Sequence, residues 1–263
     1  MPNYNIAISN LPERTEKPRN SGITMVMDKG VPLAHAEAYV ESYGDYIDFM
    51  KLGFGTSVVS KHVKEKIKLY KKAGMKVYLG GTLFEAFVAR GKFDDYQKCI
   101  DSLGLDTAEV SDGSILMSHD SKCEYISKLA KNFTVLSEVG SKEEGIIIHP
   151  AKWTSMMKKE LEAGSYKVIA EARESGNVGI FHKNGSAHTM LINRITAKIK
   201  PEDIIWETPQ KTQQVYFIKL FGANVNVGNI GFEDVVPLET LRLGLRGDTF
   251  FTFLPEETKE KQF

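Results

Sequence analysis

Four glutamates and a lysine stand where short apolar runs of this sequence give way to loops. Lys51 sits near the end of the run Tyr46–Leu52, Glu109 within Thr107–Val110 and Glu138 within Thr134–Val139, while Glu171 and Glu207 directly follow Lys167–Ala170 and Ile204–Trp206. Side chains alternate between the two faces of a strand. Ile47, Phe49 and Lys51 therefore share a face, as do Leu136 and Glu138, Ile169 with Glu171 and Arg173, and Ile205 with Glu207. Each charge extends an apolar row. One such charge is most simply a structural ion pair. Four carboxylates converging on one mouth would repel one another unless cations neutralise them. Lys51 and Arg173 supply two positive charges, and a hard divalent ion would supply the remainder. An oxygen-rich donor set suits Mg²⁺, which takes one or two carboxylates and keeps several waters. Histidine and cysteine are not at zinc-ligand spacing, so zinc is not expected.

Glycine-rich stretches follow several of the same runs. They are Lys51–Ser57, Gly80-Gly81-Thr82, the turn from Ser175 through Gly176 to Gly179, and Gly228-Asn229-Ile230. Loops of this kind let backbone N–H groups approach an anion, though any strand-to-helix turn also uses glycine. Near the end, Arg242 and Arg246 stand four residues apart. Arginine favours planar oxyanions, and the alternative is an exposed helix face with Arg246 paired to Asp248.

What would bring these residues together is a rhythm of elements. Eight strand-like runs (Ile23–Met27, Tyr46–Leu52, Lys76–Leu79, Thr107–Val110, Thr134–Val139, Lys167–Ala170, Ile204–Trp206 and Asn224–Val227) alternate with helical spacing, as at His62–Ala73, Glu124–Ala130 and Ser155–Ala163. Gly74, Gly104 and Gly164 stand where helices should stop. Alternating strands and helices imply right-handed parallel units, and eight of them predict a single-domain (β/α)₈ TIM barrel. A doubly wound open sheet would more often carry G-x-G-x-x-G after its first strand, and none is present. The expected boundaries are an arm over 1–20, the barrel over 21–250 and a tail over 251–263. Lys64, Lys66, Lys68, Lys71 and Lys72 read as a solvated helix face, and Trp153, Met156 and Met157 as packing. His149 and His188 have no partner at ligand spacing.

In the 263 residues, 34 Lys and Arg balance 34 Asp and Glu, so no overall basic field favours nucleic acid or an anionic membrane. Cys99 and Cys123 suggest reduced thiols. No apolar run approaches the ~20 residues needed to span a bilayer, and the start does not read as a signal peptide. The expectation is a cytoplasmic protein.

In combination and order, the motifs resemble the phosphosulfolactate synthase family. They are Lys17-Pro-Arg-Asn-Ser-Gly-Ile-Thr-Met-Val-Met-Asp-Lys-Gly30, Gly44-Asp-Tyr-Ile-Asp-Phe-Met-Lys-Leu-Gly-Phe-Gly-Thr56 and Gly80-Gly-Thr-Leu-Phe-Glu85. They continue with Glu109-Val-Ser-Asp-Gly113, Leu136-Ser-Glu-Val-Gly140, Glu171-Ala-Arg-Glu-Ser-Gly176 and Lys211-Thr-Gln-Gln214. Asn224-Val-Asn-Val-Gly-Asn-Ile230 and the segment from Leu238 to Thr249 complete the set.

The resemblance implies a TIM barrel that requires Mg²⁺ and adds sulfite to phosphoenolpyruvate. It implies Glu138 and Glu171, with Glu109, as metal ligands, and Lys51 or Lys142 as acid or electrostatic stabiliser. Arg173, Arg242, Arg246, Asn229 and the Gly176–Gly179 turn are implied to hold the anionic substrates. Lys17 and Arg19, just before the first strand, would reach the same anions or cap the bottom of the barrel. Two departures stand out: Ser141-Lys142 where the family commonly has two lysines, and Leu243 where an arginine is common. They leave open another nucleophile with phosphoenolpyruvate, or a non-catalytic heat-stress-associated relative. A homo-oligomer is expected, with Ile146–Ile148 as an interface or lid.

Overall fold

The computed structural model describes residues 4–140, 149–172 and 175–259. Eight strands alternate with helices: β1 (Thr24–Asp28), β2 (Phe49–Leu52), β3 (Lys76–Leu79), β4 (Thr107–Val110), β5 (Thr134–Val139), β6 (Lys167–Ala170), β7 (Ile204–Glu207) and β8 (Val227–Ile230). Every ladder is parallel, in the order β3-β2-β1-β8-β7-β6-β5-β4. β1 pairs with both β2 and β8, and β3 lies beside β4 at the seam, so the sheet wraps into a single-domain (β/α)₈ barrel. Strands covered on both faces read as near-continuous apolar runs, as the wholly buried Ile204-Ile-Trp-Glu of β7 does.

Two apolar layers hold the barrel. The outer one lies between strands and helices, and includes Trp153 and Met157. The inner one fills the bore with Met25, Phe49, Tyr78, Leu136, Ile169 and Ile205. Burying each such side chain contributes about 1.5–3 kcal/mol. Phe49, Leu136, Ile169 and Ile205 lie two residues before Lys51, Glu138, Glu171 and Glu207. The same alternation that fills the bore therefore lifts those charges onto its C-terminal rim.

Strand β8 departs from the sequence reading. It begins at Val227, not Asn224. Asn224 Oδ1 accepts from Thr15 N at 3.3 Å and Asn226 Oδ1 from Ile23 N at 3.0 Å, and such side-chain bonds compete with a regular ladder. The register against β1 moves from Thr24↔Val227 to Val26↔Ile230, so two residues of β1 match three of β8. That step is a β-bulge.

The segment before β1 closes the bottom. Lys17 Nζ donates to Gly44 O at 2.9 Å and Arg19 Nη2 to Asp45 O at 2.7 Å. Arg14 Nε pairs with Glu239 at 2.8 Å.

Arg242 belongs to this lower end, which corrects its reading as an anion ligand. Its fully buried guanidinium donates from Nη1 to Ala223 O at 2.5 Å and Val225 O at 2.7 Å, and from Nη2 to Ile23 O at 3.2 Å. The helix Val235–Arg242 carries the chain away from the end of β8, so its last residue arrives beneath the barrel. Gly244, at φ 71°, then turns the chain, which breaks the helical spacing between Arg242 and Arg246.

Lys66 is a second correction. It is buried, with Nζ at 2.6 Å from Asp28 Oδ2 and 3.0 Å from Val31 O, where it ties the helix Val63–Lys72 to the end of β1. Among the described residues no helix is long and apolar enough to cross a membrane.

Arg242→Met should lower the thermal midpoint by at least about 6 °C in circular dichroism. Three buried carbonyls would lose their donor at about 1–3 kcal/mol each, and about 1 kcal/mol moves the midpoint of a chain this size by roughly 2–4 °C. An unchanged midpoint would show that these bonds do not brace the barrel.

Candidate active site

Lys51 is the centre of the rim. Its Nζ lies 3.0 Å from Glu109 Oε2, 3.4 Å from Glu138 Oε2 and 3.7 Å from Glu207 Oε1. These groups line a cavity of ≈ 440 Å³ with Glu171, Ser175, Asn229, Met27 and Gly81. Lys51 is the only cation among the described residues that line it.

Backbone geometry at the strand ends sets the direction of each carboxylate. Glu109 Oε1 accepts from Gly81 N at 2.5 Å, and a Cβ on Gly81 would stand 2.7 Å from that same oxygen. Glycine is what lets the amide approach. Gly140 serves Glu171 likewise, since a Cβ there would lie 2.6 Å from the glutamate's own Cβ. Glu207 Oε2 accepts from Ala172 N at 2.9 Å, which joins the ends of β6 and β7.

Beneath Glu138, the buried Lys122 donates to its main-chain oxygen at 2.5 Å and pairs with Asp112 and Glu160, each at 3.0 Å. Glu85 is buried in the helix Gly81–Val88 and accepts from Gly113 N at 3.1 Å and Ser114 N at 2.6 Å, holding the loop after β4.

Electrostatics follow from burial and crowding. Burial opposes the charge on Lys51, yet Glu109, Glu138 and Glu207 together hold its pKa well above the ordinary lysine value. Burial pushes Glu207 up to about 7, with Glu138 adding repulsion and Lys51 opposing it. Glu109 is also raised, by burial first, against the pull of Lys51. The rim thus holds Glu207, which titrates near neutral pH, and a Glu109 raised above its ordinary value, beside one firmly protonated lysine.

Lys51, Glu109, Glu138, Glu171 and Asn229 from the sequence reading do meet in one cavity. Glu207, placed on the inward face but given no role, meets them there; its alternation with Ile205 was the available signal. Lys142, Arg173 and the Ile146–Ile148 segment lie outside the described residues. Gly176 and Gly179 take φ 65° and 64° in the turn after Ser175. Gln213 Nε2 donates to Gly176 O at 2.6 Å, and a Cβ on Gly179 would collide with Glu171 O. Arg246 does not line the cavity; its charge is felt by Asp234, in the turn after β8.

Lys122, buried among acids, was invisible in the sequence because a lysine on a helix ordinarily faces water. Among the described residues no three His, Cys, Asp or Glu side chains are gathered at metal-ligand spacing.

A cavity of buried carboxylates around one lysine, at the C-terminal ends of the strands, defines a barrel enzyme for a small ligand. The model of the (2R)-phospho-3-sulfolactate synthase (ComA) family matches residues 12–248, and the chain belongs to that family. It is 43% identical over 244 residues to the phosphosulfolactate synthase of Methanothermobacter thermautotrophicus, covering 90% of this chain and 95% of that one. The phosphosulfolactate synthase of Bacillus subtilis is 41% identical over 244 residues, covering 92% and 97%. Among solved structures, the YdjI aldolase from Escherichia coli K12 is similar in fold alone, with a TM-score of 0.53 over 93% of this chain and 83% of that one at 8% identity.

The raised Glu207 predicts a pH signature. Its folded pKa of about 7 exceeds the ordinary 4.5, so the folded state keeps a proton that the unfolded chain releases. Stability should therefore fall as pH rises between those values, with the whole penalty present above the higher one. Glu207→Gln should gain in thermal midpoint relative to wild type on going from about pH 5 to about pH 8. A difference that stays constant over that range would show that Glu207 is not held protonated.

Proposed function

We propose that this chain joins sulfite to phosphoenolpyruvate, giving (2R)-2-O-phospho-3-sulfolactate with Mg²⁺ as cofactor. Family membership and the activity for which the relatives are named support the product. The observation that carries the reading is Lys51 buried within 3.0–3.7 Å of three glutamates at the rim.

In this reaction the sulfur lone pair of sulfite forms the bond to C3 of phosphoenolpyruvate. The C2–C3 π pair moves toward the carboxylate, and C2 then takes a proton. No bond to phosphorus breaks. The chemistry needs a cation-rich environment for two anions, stabilisation of charge on the carboxylate, and a proton source on one face of C2.

The rim fits Mg²⁺ in donor type and charge, because its carboxylates outnumber its one cation and are all oxygen donors. Glu138 and Glu171 would hold the ion with waters completing its shell, while Glu109, whose oxygens meet Gly81 N and Lys51 Nζ, is not gathered with them at the spacing of a third ligand. When bound, it supplies Lewis-acid stabilisation of the developing carboxylate charge.

Lys51 keeps its proton far above neutral pH, which suits an electrostatic stabiliser better than a donor. Glu207, at about 7, has a proton affinity suited to delivering a proton to C2. Ser175 borders the cavity where an anionic substrate would lie, and the Gly176–Gly179 turn and Arg246 enter the proposal on family resemblance. Lys142 and Arg173 enter the proposal on family resemblance, as further cations.

Purified protein with phosphoenolpyruvate, sulfite and Mg²⁺ should yield phosphosulfolactate, with activity lost in EDTA and restored by Mg²⁺. Absence of product at high enzyme concentration would sink the proposal, and consumption of phosphoenolpyruvate with another nucleophile would redirect it. Glu171→Gln should reduce turnover by at least about 100-fold, a few kcal/mol of lost stabilisation, while leaving the thermal midpoint near wild type. Full activity in that variant would remove Glu171 from the site.

A further inference from the structure

Phe54 breaks a local rule at the edge of the cavity. Strand β2 ends at Leu52, and Thr56 N then donates to Gly53 O at 3.0 Å, closing a four-residue turn. The two central residues, Phe54 and Gly55, take φ 54° and 64°. Positive φ at both centres is the pattern of a type I′ turn, which asparagine, aspartate and glycine favour. A phenylalanine there is a strained exception.

The barrel itself gains little from the ring. Phe54 is 52% exposed and belongs to neither of the two apolar layers. The base of the turn, by contrast, is fixed. Thr56 Oγ1 also donates to Gly53 O, at 2.8 Å, and a Cβ on Gly53 would stand 3.0 Å from Met27 Cγ and Sδ.

What the ring does meet is the mouth. Phe54 lines the cavity with Lys51 and the four glutamates, where Met27 is the only other large apolar side chain among the described residues. Met27 is buried, so Phe54 is the apolar group that stands between those charges and solvent. Charges act more strongly on a ligand where water is excluded. Phosphoenolpyruvate carries one apolar edge, its C3 methylene, beside two anionic groups. A strained backbone, an exposed ring and a place at a charged mouth converge on cover for a bound ligand.

We propose that Phe54 covers the substrate: the strained turn after β2 holds its ring over the mouth, where it packs on the methylene edge of the phospho-carboxylate substrate and keeps water from the reacting carbons. This rests on the reading that the mouth accepts phosphoenolpyruvate.

Two variants test it. The two tryptophans of the chain, Trp153 and Trp206, are buried, so Phe54→Trp adds the one exposed indole. Acrylamide quenching of its fluorescence should fall toward the level of the buried pair when phosphoenolpyruvate saturates the protein. Phe54→Asn gives the turn a residue it favours and removes the ring. Its thermal midpoint should equal or exceed that of wild type, while calorimetric affinity for phosphoenolpyruvate should fall by about 10- to 100-fold, the range for one aromatic contact.

Quenching that phosphoenolpyruvate leaves unchanged overturns the proposal. So does wild-type affinity in Phe54→Asn, whatever its midpoint, since the ring would then serve the turn alone. Wild-type protein that binds phosphoenolpyruvate but makes no phosphosulfolactate removes the proposed reaction alone, and the quenching still decides the role of Phe54. Wild-type protein that binds no phosphoenolpyruvate overturns both.

Discussion

The ammonium of Lys51 among Glu109, Glu138 and Glu207 is the interaction on which the rim depends. Buried carboxylates at that spacing would repel one another or take up protons, and one lysine offsets only part of the charge. The excess is what makes the site chemically useful. It keeps Lys51 charged, adds to the burial that raises Glu207 toward neutral pH, and leaves more carboxylate than cation at the rim.

The rest of the barrel serves to keep that arrangement from relaxing. An apolar bore lies below the charges, so the rim residues have no polar interior to sink into. Two further buried lysines brace neighbouring strand ends. Lys66 holds Asp28 at the end of β1, and Lys122 holds the main chain of Glu138 while pairing with Asp112 and Glu160. Buried ion pairs of this kind add little net stability, because desolvation offsets the attraction. Their contribution here is geometric: each ties a helix or loop to a strand end. The Arg14, Glu239 and Arg242 network closes the opposite end, remote from the cavity.

A division of labour between the two ends follows. Strand ends at the bottom are satisfied by arginine and asparagine side chains. Strand ends at the top carry paired acids, glycines that let carboxylates reach backbone amides, and one bulged strand. Membership in the phosphosulfolactate synthase family fits a barrel mouth of buried carboxylates around one lysine.

Much of this was legible in the sequence. The period-two rows that end in Lys51, Glu138, Glu171 and Glu207 determined which residues share the rim, because alternation along a strand is a local property that survives any tertiary detail. Eight strand runs alternating with helices determined the barrel for the same reason. Other placements needed the folded chain. Arg242 and Arg246 look like one pair in the sequence, but a helix end and Gly244 send them to different places. Lys66 and Lys122 look solvated, since nothing local reveals that an acid from another element lies beneath each of them. Asn229 faces the mouth only because β8 slips by one residue against β1. Register, helix ends and buried partners arise from contacts between segments far apart in the chain, and only the tertiary structure decides them.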